Sequence, residues 1–380
     1  MKNKSNLITI ITFIAILFSI TALNIFSADK EFSENENRYL SQKPEVSLNS
    51  VLRGEFTKKF EQYLNDQFIF REAWIRNKNN FQKNTVKKDI NGVYLCKDGY
   101  LMEKCLEHEF DNAQMLININ SINDFAKYCK QNNYNKFSVI IAPNASLILK
   151  DKLPKYATNF DQDEKFDTIK KNIKDCEFVD IRDALKLHKN DYIFYKTDHH
   201  WTSKGAFLAY QQWCEEVGAV HHLKDEFKIT TVTDSFRGTL YSKLLDKNSA
   251  YDSIDFYRFN TPIKYSVSYD FGKKKSDSIF SMEKLKKKDK YASFLGGNYP
   301  EIKITTENKN DKNLIIFKDS FANSFVPFLL KDYENISIID LRYFRGDVKS
   351  YMRENNITEV LVLYNIMNFS RDKNIVKLGV

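Results

Sequence analysis

The chain has 380 residues, 42% hydrophobic and 14% aromatic, which is enough apolar content to bury a sizeable core and to exclude wholesale disorder. Its 58 basic residues against 50 acidic ones leave a mild excess of +8, spread along the sequence. The lysine runs GKKKSDSIF and KLKKKDKY form no basic stripe beside aromatic or helical readers, so they read as solvated loops and argue against a nucleic-acid partner.

Residues 1–6 (MKNKSN) are short and basic, and residues 7–26 follow as an uncharged apolar run. Its length is about the 20 residues that a helix needs to cross a bilayer. Lysines before the run and SADKEFSENENRY after it place the N-terminus in the cytoplasm and the rest outside. Phe26 occupies a place where signal cleavage wants a small residue, so an uncleaved, single-pass anchor in the cell membrane is expected over a signal peptide. Residues 27–50 read as an irregular tether.

The remainder, 51–380, reads as one domain. EFTKKFEQYLNDQFIFREAWIRNKNNFQKNT has apolar residues three and four apart, as an amphipathic helix does. NGVYLCKDGYLME has the strand, Asp-Gly turn and strand of a hairpin. A helix over LININSINDFAKYCKQNN leads into KFSVIIAP, a continuous apolar run that suits a strand covered on both faces. Helix and strand then alternate through CEFVDI, RDALKLH and a helix beginning at Thr202 or Ser203. Residues 227–290 are lysine-rich and poorly periodic, and read as an insertion or a peripheral β layer. Alternation returns with KNLIIF, ENISIID, VKSYMRENN and ITEVLVLYN. The pattern predicts an open α/β sheet with functional residues at the carboxyl ends of its strands. The five cysteines have no CxxC spacing; Cys129, Cys176 and Cys214 read as core, and only Cys96 and Cys105, flanking a turn, are placed to pair.

Two stretches carry chemistry. In IIFKDSFANS a buried strand runs into a sharp turn bearing Ser320, with a helix expected from about Ala322; the Asp-Ser pair reads as a cap or as a nucleophile. In TDHHW, Asp198 stands two residues before His200, a separation that lets the carboxylate fold back onto the imidazole and set its tautomer. Trp201 is placed to pack against that ring and limit water. Asp198, His199 and His200 also offer a zinc reading, but adjacent histidines point apart in an extended segment and no further ligand is near. His221 and His222 read as a solvent-facing loop. No metal and no cofactor are expected.

YKTDHHWTSKGAFLAY, FLGGNYP, KDSFANSFVPFL, IIDLRYF and VLVLYN together resemble the DHHW family. The domain is similar to that of the alginate O-acetylation proteins AlgX and AlgJ, within the SGNH-hydrolase-like superfamily. The resemblance runs from about Phe32 to the C-terminus. It implies a three-layer αβα domain with a parallel sheet and a circularly permuted motif order, behind an N-terminal transmembrane helix. Matched by position, Asp198 is the triad acid, His200 the base and Ser320 the nucleophile, while His199 fills a variable place. Asn365 falls where the superfamily's oxyanion asparagine is expected, and Asn298 in FLGGN is its rival. The superfamily's glycine block is missing, with Arg342 and Tyr343 in its place, and Lys318 stands where relatives place a glycine. The implied activity is serine-dependent O-acetyl transfer to an exopolysaccharide or cell-wall glycan, with acetyl groups supplied through a membrane-bound O-acyltransferase. The alternatives are a carbohydrate acetylesterase using the same triad, and a non-catalytic glycan-binding or assembly protein.

Overall fold

The computed structural model describes residues 2–85, 87–134 and 136–379. The chain divides into two compact units, residues 1–90 with 242–248, and residues 91–241 with 249–380.

The first unit begins with helix α1 (Lys2–Phe26). Within it, Lys4–Phe26 is long and apolar enough to cross a membrane, and it is the one such helix among the described residues. Two amphipathic helices follow, α2 (Glu55–Gln67) and α3 (Arg71–Asn84). They are separate because Phe68, Ile69 and Phe70 interrupt the helix, with Phe70 at a left-handed φ of 54°. Residues 27–50, read as an irregular tether, are instead fastened to these helices. Arg38 forks onto Asp66 at 2.6 and 2.9 Å, and the Lys30 N–H donates to Gln67 at 2.9 Å. Polar side chains supply the order that apolar periodicity does not announce.

The second unit is built on an eight-stranded sheet. In chain order its elements are the hairpin β1 (Val93–Leu95) and β2 (Leu101–Glu103), α4 (Asn112–Gln131), β3 (Lys136–Ala142), α5 (Gln162–Asn172), β4 (Glu177–Val179) and α6 (Arg182–Leu187). Next come α7 (Ser203–Val217), the strand pair β5 (Phe227–Phe236) and β6 (Asp252–Phe259), and the strands β7 (Tyr265–Tyr269), β8 (Lys274–Ser276) and β9 (Glu301–Thr306). The last elements are β10 (Asn313–Lys318), β11 (Asn335–Ile339), α8 (Val348–Glu354), β12 (Glu359–Asn365) and α9 (Ile366–Arg371). The sheet order is β8-β7-β9-β11-β10-β12-β3-β4. The five strands from β11 to β4 are parallel, and the three at the other edge pair antiparallel.

Alternation along the central strands feeds two cores. Leu314 and Ile316 of β10 join Phe207, Tyr210 and Trp213 of α7 on one face. Ile315 and Phe317 join Ile119, Ile122 and Phe125 of α4 on the other. A strand buried on both faces has no polar side, which is why these segments are continuous apolar runs. The poorly periodic stretch 227–290 resolves into β5–β6, a strand pair of its own, and β7–β8, which extend the main sheet. No disulfide forms among the described residues, so Cys96 and Cys105 are not bridged.

The order of strands reverses at β10. Its successor β11 lies on one side and β12, reached after β11, lies on the other. In open α/β sheets the loops past such a reversal leave a crevice at the carboxyl ends. The loop after β10 carries Ser320.

Candidate active site

β10 delivers Lys318, Asp319 and Ser320 in succession. No α-helix starts at Ala322; the turn Ser320–Ser324 is 3-10, followed by a second 3-10 turn, Val326–Leu329. Pro327 accounts for this, because it has no N–H to give and disfavours helical geometry in the residue before it. Asp319 caps the turn, accepting from the Phe321 N–H at 2.9 Å, the Asn365 N–H at 2.8 Å and the Asn368 amide at 2.7 Å. Burial still raises its pKa, outweighing those donors.

Asp198, His200 and Ser320 form one hydrogen-bonded chain. His200 Nδ1 lies 2.5 Å from Asp198 Oδ1, and His200 Nε2 lies 2.7 Å from Ser320 Oγ. The His200 N–H also donates to Asp198 Oδ1 at 3.0 Å, closing the two-residue turn. The other carboxylate oxygen accepts the Thr239 N–H at 2.8 Å. Burial opposes ionisation of Asp198, but His199, His200 and the Thr239 donor together hold its carboxyl well below the usual carboxylate range. Burial pushes the His200 imidazole down to about 4; His199 and Lys318 push the same way, and Asp198 opposes them. His200 is therefore neutral at neutral pH, the form able to accept a proton from Ser320. Its protonation at low pH removes that capacity. For any reaction that uses this proton transfer, kcat/KM is expected to rise through a limb near pH 4 and stay flat to neutrality; a limb at the ordinary histidine value of 6.5 contradicts this burial.

The segment 197–200 is a run of bends and not a strand, so the adjacent histidines do not point apart. Their rings sit 4.0 Å apart. Asp252 holds the segment: it accepts from Tyr192 Oη at 2.5 Å, the Lys196 and Thr197 N–H groups at 2.7 and 2.8 Å, and Thr197 Oγ1 at 2.5 Å. Gly238 then packs against Asp198 so closely that an added Cβ would lie 2.2 Å from Oδ2. Because Asp198 is walled in, Gly238→Ala is expected to cost about 1–3 kcal/mol of stability. It should also reduce kcat, by displacing the carboxylate. Denaturant unfolding alongside turnover checks both; an unchanged kcat removes Gly238 from the site.

His200 is flanked by a residue that sequence reading did not single out. Tyr291 stacks on the imidazole with centroids 3.8 Å apart and planes 10° apart, and its hydroxyl donates to the Ser320 carbonyl at 2.9 Å. Trp201 was expected in that place. It is fully buried instead, its Nε1 donating to the Phe321 carbonyl and to Ser324 Oγ, each at 3.0 Å. Trp201 thus braces the turn after Ser320 and has no surface to offer a substrate. His199 is partly exposed, with Nδ1 3.9 Å from Asp198 Oδ1.

The expected oxyanion donors divide. Both Asn365 amide protons are taken, by the Ala142 carbonyl at 3.1 Å and Asn144 Oδ1 at 2.7 Å, so Asn365 ties the strand ends together. Arg342 is spent on buried Asp340, at 2.8 and 2.6 Å, and Tyr343 is half exposed beside it. Neither has a polar contact with Ser320 or His200 among the described residues. Lys318 is fully buried, and its Nζ donates to Asn298 Oδ1 at 3.0 Å and Asn323 Oδ1 at 2.8 Å. Burial lowers its pKa to about 8. Gly296 and Gly297, at φ +72° and +117°, make the turn that brings Asn298 to Lys318. A single charged residue ending the run LIIF was the available signal for this contact.

Ligand atoms of Asp198, His199 and His200 lie within 4.8 Å of one another, so the trio has the proximity of a metal site. Both His200 nitrogens are already hydrogen bonded, to Asp198 and Ser320, and a metal would have to displace one of them.

A family model described as DHHW protein matches residues 122–339. Among solved structures, a DHHW family protein from Eubacterium siraeum aligns with 25% identity and TM-score 0.63, covering 76% of this chain and 95% of that one. Bacillus cereus PatB1, solved with a sulfonyl adduct, aligns with 24% identity and TM-score 0.63, covering 76% and 98%. The O-acetyltransferase domain of Pseudomonas putida AlgJ is a distant match at 13% identity and TM-score 0.47, covering 76% and 98%. No curated protein matches.

Proposed function

This chain belongs to the DHHW family, and from that premise and the geometry of its site we propose a membrane-anchored, extracytoplasmic, serine-dependent O-acetyltransferase acting on a glycan. One observation carries the reading: Asp198, His200 and Ser320 stand in a single hydrogen-bonded line at the carboxyl end of β10. A hydroxyl on a neutral imidazole that is oriented by a carboxylate is the arrangement that activates serine for attack on acyl carbons. The order of the motifs, acid and base before nucleophile, is read as a permutation of the SGNH-hydrolase order.

In this mechanism Ser320 Oγ attacks the acetyl carbonyl carbon while its proton passes to His200 Nε2. Asp198 stabilises the imidazolium that forms. The carbonyl π bond breaks onto oxygen, and re-forms as the leaving oxygen departs with the proton from His200. An acetyl-Ser320 ester remains. A sugar hydroxyl then gives its proton to His200 and attacks the ester, and Ser320 recovers its proton as acetyl leaves on the sugar. The Ser320 N–H, which has no acceptor among the described residues, and the Asn298 amide, fixed by Lys318 through its oxygen, are proposed to receive the oxyanion. Asn298→Ala is then expected to lower kcat by about 10–1,000-fold with KM little changed; a rise in KM alone makes Asn298 a binding residue.

Transfer and hydrolysis differ only in which hydroxyl reaches acetyl-Ser320. Product analysis with an acetyl-ester donor and a panel of polysaccharide acceptors separates them. Acetylated glycan is the expected product, and free acetate unaffected by every acceptor favours an esterase. In this reading α1 is the membrane anchor, and a membrane-bound O-acyltransferase is the proposed source of acetyl groups.

A further inference from the structure

The end of α1 is joined to the turn between α2 and α3. The Ile69 N–H donates to Asn24 Oδ1 at 2.8 Å, across 45 residues of sequence. Tyr63 Oη donates to Asp29 at 3.0 Å, and Gln67 exchanges hydrogen bonds with the Lys30 backbone at 2.9 Å in both directions. Asn24 lies two residues before the helix ends at Phe26, about 3 Å of rise along the axis. The turn Phe68–Phe70 therefore sits at the level where the apolar helix stops. Along the helix itself, every described side chain but Ile20 and Asn24 is exposed.

Large apolar side chains in this turn and in the helical turns on either side of it are uncovered. Phe70 is 68% exposed, Trp74 54%, Leu64 50% and Phe68 40%. Two of the cations here are ion-paired within the unit: Arg71 with Glu36 and Arg38 with Asp66, while Glu72 accepts hydrogen bonds from Ser33 and Asn35. Exposed aromatic rings beside hydrogen-bonded charged groups, next to the turn tied to the end of an apolar helix, match the aromatic belt that membrane proteins place at the lipid headgroups.

We propose that Leu64, Phe68, Phe70 and Trp74 form a second contact with the lipid bilayer, seating the juxtamembrane unit in the headgroup layer of the outer leaflet. The proposal rests on the reading of α1 as an uncleaved anchor. A lone spanning helix leaves its domain free to swing; a second contact 40–50 residues further along fixes the tilt of the unit against the membrane.

Trp74 makes the test direct, because Trp201 and Trp213 are buried. The full chain is reconstituted into phosphatidylcholine–phosphatidylglycerol vesicles whose acyl chains are brominated at shallow or at deep positions. The Trp74 signal is taken as the difference between the wild type and Trp74→Phe. Most of that signal should be lost with shallow bromines and less with deep ones, while aqueous iodide has little effect. Iodide quenching with no bromolipid quenching, in chain that resists alkaline extraction, overturns the lipid contact alone and favours a protein partner for this face. Release of the chain by alkali overturns the anchor and the proposal with it. Neither result touches the Ser320 reading, which turnover of a soluble ester reports separately.

Discussion

Replacing Ser320 with alanine is expected to lower acetyl-ester turnover by at least about three orders of magnitude and to leave the fold intact. The loss is large because no neighbouring group can substitute for Oγ. Ser324, the next hydroxyl along the turn, is buried and engaged by Trp201 and Tyr291. The fold should persist because the turn is held by other atoms. Asp319 binds the Phe321, Asn365 and Asn368 donors, and Trp201 binds the Phe321 carbonyl, none of them through Ser320 Oγ. Losing one hydroxyl that bonds only His200 costs about 1 kcal/mol. Turnover of a chromogenic acetyl ester together with thermal unfolding checks both halves. Retained turnover refutes Ser320 as the nucleophile, and collapse of the fold makes its role structural.

His200→Ala should cause a loss of similar size, and combining it with Ser320→Ala should add almost nothing, because nucleophile and base act as a unit. His199→Ala should cost far less. The two rings are neighbours, but only His200 stands between a carboxylate and a hydroxyl. His199 touches Asp198 only at 3.9 Å and contributes charge and shape at the mouth of the site. A metal held by Asp198, His199 and His200 makes the opposite demand, since either histidine would then be indispensable. Equal losses, reversed by added zinc, would replace the serine mechanism with a metal one.

The sequence showed best what its own local pattern encodes. β3, β10, β11 and β12 are legible because strands buried on both faces must be continuous apolar runs. The antiparallel edge was not: β7 is a five-residue, serine-bearing strand only partly buried, β8 is three residues with two exposed lysines, and β7 pairs with β9 only after an excursion of some thirty residues. The site divides in the same way. Aspartate, histidine and serine announce themselves by residue type and by the turns they sit in. Tyr291, Gly238 and Thr239 are common residue types at short helical turns far away in sequence, and only the closed fold brings them to His200 and Asp198. Trp201 adjoins His200 in sequence, but its indole turns under the Ser320 loop and packs edge-on to Phe321. Asn365 has the residue type and strand-end position of an oxyanion donor, but its amide is consumed by Ala142 and Asn144.

The central claim is that Ser320 is a nucleophile made reactive by His200. Labelling the purified chain with a serine-reactive fluorophosphonate, followed by peptide mapping, tests it without knowledge of the glycan. One label per chain is expected on Ser320, formed far more slowly in His200→Ala and at nearly the native rate in His199→Ala. A folded chain that takes no label, or takes it at another serine, would contradict the account.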